Sequence, residues 1–130
     1  MKVIDGTNAV LGRLASYAAK QALMGEEIAI VNCEKILVTG NRANILERFR
    51  EKRTKIGSGQ KGPKISRLSH KIVKRAIRGM LSHRQARGKE ALKRIMVYEG
   101  IPEKFKDAKM IRSGKEKHGK FIHIDELKKK

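Results

Sequence analysis

Two short runs of largely β-branched residues, Ile28-Ala29-Ile30-Val31 and Ile36-Leu37-Val38, follow a segment with helical apolar spacing. This order is the strongest constraint on the fold. Each run is continuous rather than alternating, the pattern of a strand covered on both faces. Between Val10 and Leu23, the residues Leu11, Leu14, Ala15, Ala18 and Ala22 share one helical face, with Arg13, Ser16 and Lys20 elsewhere on the turn. Small side chains on that face suit close packing against a sheet. With Val3-Ile4 ahead of it, the segment reads strand, helix, strand, which implies a crossover unit and a mainly parallel sheet. The predicted class is α/β, a small mostly parallel sheet flanked by helices in three layers, with a basic loop and helix extension.

The rest of the chain is predicted from the same signals. Gly25 is a helix stop, and Asn41, in the turn Thr39-Gly40-Asn41, is a cap for a helix in which Ile45, Leu46 and Phe49 repeat at helical spacing. A helix over Ser69 to Leu81, a turn over Ser82 to Gly88 and a short helix over Lys89 to Arg94 lead to a strand at Ile95-Met96-Val97-Tyr98, closed by Gly100-Ile101-Pro102. From Glu103 the charges are mixed, with an edge strand at Phe121 to Ile124 and a final helical turn from Asp125. At 130 residues the chain has the length of one domain.

Charge is segregated along this chain. Residues 1–47, the neutral α/β part, hold five Lys and Arg against five acids, whereas residues 48–94 hold seventeen against Glu51 and Glu90, which leaves +15. Residues 95–130, the last core strand and a charged tail, contribute ten cations and six acids toward the overall +19. Concentrated like charge repels itself unless a polyanion or counterions neutralise it, so the expected partner is anionic and extended. An isoelectric point near 10.5 is the footprint of a nucleic-acid binder. A polybasic membrane-surface protein would share the composition, but there is no apolar run of spanning length, signal-peptide core or lipidation motif. The expectation is a cytoplasmic protein without a membrane partner.

Two parts of the basic region differ in kind. Between Lys52 and Arg67 the apolar pattern lapses, and Gly57, Gly59, Gly62 and Pro63 punctuate Arg53, Lys55, Lys61 and Lys64, as in an exposed basic loop. Gly57 and Gly62 have the spacing of a nucleotide-phosphate loop, but Pro63 and Lys64 stand where that motif needs Lys and Ser or Thr, and Pro63 lacks a backbone donor. In the helix that follows, Lys71, Lys74, Arg75 and Arg78 lie within an arc of about 100°, opposite Ile72, Val73, Ala76, Ile77, Met80 and Leu81. No acid interrupts the cationic face, so no ion pair four residues away relieves the repulsion. Phosphate contact is the reading this favours over a merely solvated face.

Catalytic chemistry finds little support. His70, His83, His118 and His123 are scattered without zinc spacing, and the single Cys33 adjoins an apolar run, as a buried thiol does. Asp5 and the pair Glu26-Glu27 read as turn and surface charge, and Ser66 and Ser69 beside His70 as helix caps. No cofactor, metal or small-molecule substrate is expected. A nucleotide- or nucleic-acid-processing enzyme on an α/β scaffold is the alternative. The few aromatics, Tyr17, Phe49, Tyr98, Phe105 and Phe121, provide no stacking platform of the single-strand binders, and no zinc-finger, zipper or helix-turn-helix signature is evident. Backbone recognition of folded RNA by Lys and Arg remains.

Residues 77–102, IRGMLSHRQARGKEALKRIMVYEGIP, resemble the signature region of the L-thirteen family of large-ribosomal-subunit proteins. Arg78-Gly79-Met80-Leu81, Arg87-Gly88 and Val97-Tyr98-Glu99-Gly100 carry the match. Val10-Leu11-Gly12-Arg13-Leu14-Ala15-Ser16 and Val31-Asn32-Cys33-Glu34-Lys35-Ile36 resemble the family's opening helix and second strand turn. Gly62-Pro63, His83 and Arg87-Gly88 are more similar to the archaeal and eukaryotic branch than to the bacterial one. The resemblance implies a non-enzymatic domain seated on large-subunit ribosomal RNA beside neighbouring ribosomal proteins, acting in subunit architecture and assembly. It also implies RNA contacts at Arg78, His83, Arg84, Arg87, Lys93 and Arg94. Charge adds Arg48, Arg50, Lys52, Arg53, Lys55, Lys61, Lys64, Arg67, Lys71, Lys74, Arg75 and Lys89 as further candidates.

Overall fold

A computed structural model describes residues 2–54, 68–112 and 119–129. The elements run β1 (Lys2–Asp5), α1 (Leu11–Leu23), β2 (Ile28–Val31), β3 (Leu37–Thr39), α2 (Arg42–Thr54), α3 (Ser69–Gly79), α4 (Ala86–Lys93), β4 (Ile95–Val97), β5 (Met110–Arg112) and β6 (Phe121–His123). Among the described residues, 3₁₀ turns at Cys33–Lys35, Glu103–Phe105 and Ile124–Lys129 complete them.

The predicted crossover forms as expected. β1 and β2 are parallel, with Val3 opposite Ala29 and Ile4 opposite Ile30, and α1 connects them. β4 adds to β2 and β5 to β1, both parallel, giving the order β4-β2-β1-β5. The alternation of side chains across the pleat then divides the core. Ile4, Ile28, Ile30 and Ile95 face Leu14, Ala15, Ala18 and Ala22 of α1, Val73 and Ile77 of α3 and Ala91 of α4. Val3, Ala29 and Val31 face the opposite way, onto Phe105, with Tyr98, Ala108 and Met110 beside it. The sheet is therefore the middle of three layers. Its second outer layer is built from the 3₁₀ turn at Phe105, whose ring tilts against Tyr98 at 5.6 Å between centroids.

Turn chemistry explains several boundaries. Gly25 follows α1 with φ of 96°, a conformation that costs glycine no Cβ clash, and its N–H donates to the Ala22 carbonyl. Asn41 caps α2, its Oδ1 accepting the Ala43 N–H at 3.0 Å. Cys33 is buried, as its apolar setting suggests.

Other expectations are corrected. The run Ile36–Val38 does not enter the parallel sheet: β3 pairs antiparallel with β6 in a separate two-stranded sheet, Leu37 opposite His123 and Thr39 opposite Phe121. Its burial fades from Leu37 to Thr39, so only its first half is enclosed. β5 is unanticipated, because Met110-Ile111-Arg112 is too short and mixed to show a strand pattern, and pairing with β1 decides it. The last residues are more than a charged tail, since Ile122, Ile124 and Leu127 are buried and the Ile124 N–H donates to the Ile36 carbonyl. α4 starts at Ala86, earlier than predicted, and takes in Gly88. Residues of all three charge-defined stretches meet in the main core, from Ile4 through Val73 and Ala91 to Ile124.

Candidate nucleic-acid interface

α3 is amphipathic because its apolar residues recur at helical spacing while its polar positions are filled by cations. Val73 and Ile77 are fully enclosed, and Ile72 and Ala76 are half-buried. On the other side Lys71, Arg75 and Arg78 are exposed and Lys74 is half-buried. The predicted cationic face therefore exists on the surface, and α3 contains no acid to neutralise it. The helix stops at Gly79, so Met80, expected on the packed side, is the C-cap and 47% exposed, whereas Leu81 turns inward and is buried. Ser69 does not cap this helix. Leu68 occupies that position, and the buried Ser69 Oγ has no hydrogen-bond partner among the described residues.

A turn, Met80 to Gln85, links α3 to α4 and carries the exposed Arg84 and the half-buried His83. Arg87, Lys89 and Lys93 are exposed on α4, where Glu90 is the one acid. Both helices pack against α1 on the same side of the sheet. Arg94 differs from these. It is half-buried, and its Nη1 donates to the Ala22 carbonyl at 2.9 Å, closing the C-terminal end of α1. Arg48 and Arg50 are exposed on α2, and the backbone of Lys52 and Arg53 continues that helix. Lys55, Lys61, Lys64 and Arg67, together with the glycine-rich stretch, Ser66 and His118, lie outside the described residues.

α2 has no fully buried residue from Arg42 through Glu51. Its ion pair Arg42–Glu126, 2.9 Å at the surface, tethers its start to the C-terminal turn, and its apolar stripe faces α3 across a cleft. Sequence reasoning missed that cleft, because nothing local indicates that residues about twenty-five positions apart will line opposite walls.

A second polar cluster lies at the C-terminal ends of the parallel strands, where α/β folds often hold ligands. Asp5 is only 7% exposed, so it is not the surface charge expected from sequence. Its Oδ1 accepts the Thr7 N–H at 3.0 Å, the Thr7 hydroxyl at 2.7 Å and the Asn32 amide at 3.0 Å, while Arg112 Nε stands 3.7 Å from Oδ2. Burial alone would raise the Asp5 carboxyl, but the Thr7 backbone donor, the Asn32 and Thr7 side chains and the Arg112 charge together outweigh it and lower its pKa. The donors are internal, so the cluster fixes a loop. Asn32, at φ of 56°, then donates its N–H to the Gly100 carbonyl, and the Gly100 N–H donates to Glu34 Oε2 at 3.0 Å. This ties the turn after β2 to the turn after β4. Among the described residues no group of three or more His, Cys, Asp or Glu is placed to hold a metal ion.

The arrangement can do one thing well: present Lys and Arg from α2, α3 and α4 on a neutral α/β support. Comparison with known proteins agrees with the signature residues. The family model for Ribosomal protein L13 matches residues 1–104. The chain is 48% identical over 112 residues to large ribosomal subunit protein uL13 of Methanosarcina barkeri, covering 85% of this chain and 79% of the relative. It is 49% identical over 106 residues to the Methanococcus maripaludis protein of the same name, covering 79% and 77%. With the namesake of Methanocaldococcus jannaschii it shares 42% identity over 132 residues, 99% of this chain and 96% of the relative. A family match over most of the chain, joined to these three alignments, means that this protein belongs to the ribosomal protein L13 family.

Proposed function

We propose that this protein is a structural constituent of the large ribosomal subunit, held on folded large-subunit ribosomal RNA by the Lys and Arg of residues 48–94 and supporting subunit assembly without catalysis. The carrying observation is the acid-free face of α3, on which Lys71, Arg75 and Arg78 are exposed while Val73 and Ile77 anchor the helix to the core. A face of one sign on a rigid support binds phosphates by releasing condensed counterions, and fixed spacing lets it favour one RNA shape over another. Lys74 lies on the same helix, Arg48 and Arg50 extend the surface to α2, and His83, Arg84, Arg87, Lys89, Lys93 and Arg94 to the turn after α3 and to α4. The charge of Lys52, Arg53, Lys55, Lys61, Lys64 and Arg67 makes them further contacts in this reading. Neighbouring ribosomal proteins and a cytoplasmic location follow from the same assignment.

The test is sucrose-gradient fractionation of native cell extract at moderate and high salt, with the protein detected across the gradient. Co-migration with the large subunit at both salts is expected. Recovery in the soluble fractions at both would overturn the assignment.

A further inference from the structure

The cleft between α2 and α3 is the feature least accounted for by a surface that only contacts phosphates. It encloses about 460 Å³, within the range of pockets that hold small molecules. One wall is Ile45 and Phe49 of α2, the other Ile72 and Ala76 of α3, and Leu11 and Val38 add to the apolar lining. Its remaining lining includes Arg48 on the first wall and Lys71 and Arg75, one helical turn apart, on the second; no acid is among the described residues that line it. Phe49 is the one aromatic residue between Arg48 and Arg94.

Apolar walls beside three cations have the complementarity of a nucleotide: a flat, weakly polar base next to a phosphodiester. RNA exposes such groups at bulges and loops, where an unpaired base leaves its stack and enters a protein pocket. The location narrows the choice further. Lys71 and Arg75 belong both to this cleft and to the cationic face of α3, so a strand whose phosphates follow that face passes the cleft's mouth. An apolar peptide anchor would use the same walls, yet it would have to compete for the two cations with the RNA backbone.

We infer that the α2–α3 cleft receives one unpaired nucleotide of the bound RNA, its base between the Phe49 and Ile72 walls and its phosphate on Arg48, Lys71 and Arg75. This rests on the RNA-binding reading above and adds to it a point of specific readout. A uniform basic surface cannot tell one RNA segment from another of similar shape; a cleft that admits one extruded base can.

The experiment is footprinting of purified large-subunit ribosomal RNA with the full-length protein, using dimethyl sulfate for bases and hydroxyl radicals for the backbone. The wild type should protect the backbone and one or two unpaired bases. Phe49→Ala should restore reactivity at those bases and weaken binding about tenfold, the scale of removing one stacked base, while the backbone footprint persists at saturating protein. Ile72→Gln, which alters the opposite wall, should expose the same bases, and far-UV circular dichroism checks that both variants are folded. A backbone footprint with no base whose protection depends on either residue overturns the cleft assignment and leaves RNA binding standing. Absence of any footprint overturns both. Ultraviolet crosslinking in assembled subunits that joins Phe49 to a neighbouring protein rather than a nucleotide gives the cleft to a peptide and also overturns the inference.

Discussion

Gly88 lies so close to the Ser82 carbonyl that a Cβ built on it would stand 2.0 Å from the oxygen and 2.3 Å from the carbon. Both atoms are backbone, so no side-chain rotation relieves the overlap. The first turn of α4 is thereby pressed against the chain leaving α3, an approach that only a glycine inside the helix permits. Gly88→Ala should destabilise the protein by about 2–4 kcal/mol, although alanine is the better helix former, because the backbone itself must separate. Gly12 is the control. It sits in α1 without positive φ, and a Cβ added there would meet nothing within 4 Å, so Gly12→Ala should stabilise by about 0.5 kcal/mol. Urea unfolding of the two variants checks the opposite signs.

Asp5 should make stability depend on acid. Its pKa is lowered in the folded chain, so its contribution is fully present above the unfolded value of about 3.9 and is lost as pH falls through the lower folded value. Asp5→Asn should flatten that part of the stability profile. Asp5→Ala should cost about 1–3 kcal/mol at neutral pH, because the Asn32 amide then loses its buried acceptor. Chemical denaturation from about pH 2 to 7, as a scan of roughly half-unit steps, reads both effects.

The C-terminal residues should behave as core. Ile122 is 1% exposed and belongs to the strand paired with β3, so Ile122→Ala should cost about 2–4 kcal/mol. Met24, 69% exposed beyond the end of α1, should tolerate alanine within about 0.5 kcal/mol. A thermal-shift comparison of these two variants separates the enclosed position from the open one.

Replacing Lys71, Lys74, Arg75 and Arg78 together with Gln should leave far-UV circular dichroism unchanged, since none of the four is fully buried. It should weaken binding to large-subunit ribosomal RNA and reduce the slope of log affinity against log salt by about 3–4, close to one for each phosphate no longer neutralised. Filter binding from about 50 to 200 mM salt, a range over which roughly 10³ to 10⁵-fold is expected for six to ten phosphates engaged, measures both quantities. An unchanged slope would remove α3 from the interface.

Arg94 shows where charge ceases to be a guide. In the sequence it is one more cation beside Lys93, yet in the fold its guanidinium reaches the Ala22 carbonyl, 72 positions away, and is half-buried. Removing it should therefore loosen the end of α1 as well as subtract a charge. Arg94→Gln is expected to lower stability by about 1 kcal/mol, read by urea unfolding without RNA, whereas exposed Lys93→Gln should leave stability unchanged within about 0.5 kcal/mol.

Features that repeat locally were legible in the sequence: the alanine face of α1, the enclosed β2, the cap at Asn41 and the opposed apolar and cationic faces of α3. Each follows from a period or a turn residue contained in a few positions, because helix and strand geometry turns spacing into direction. Signature residues around Arg78, Arg87 and Glu99 carried the family in the same local way. The remainder emerged only on folding. β3 joined β6, β5 joined β1, Asp5 found Asn32, and α2 came to face α3 across a cleft. In every such case the deciding partner is distant in the chain, and its contribution is a hydrogen bond or an apolar wall that exists only after the intervening residues have folded. Short strands such as Met110–Arg112 have no preference strong enough to declare themselves before a neighbouring edge supplies the pairing.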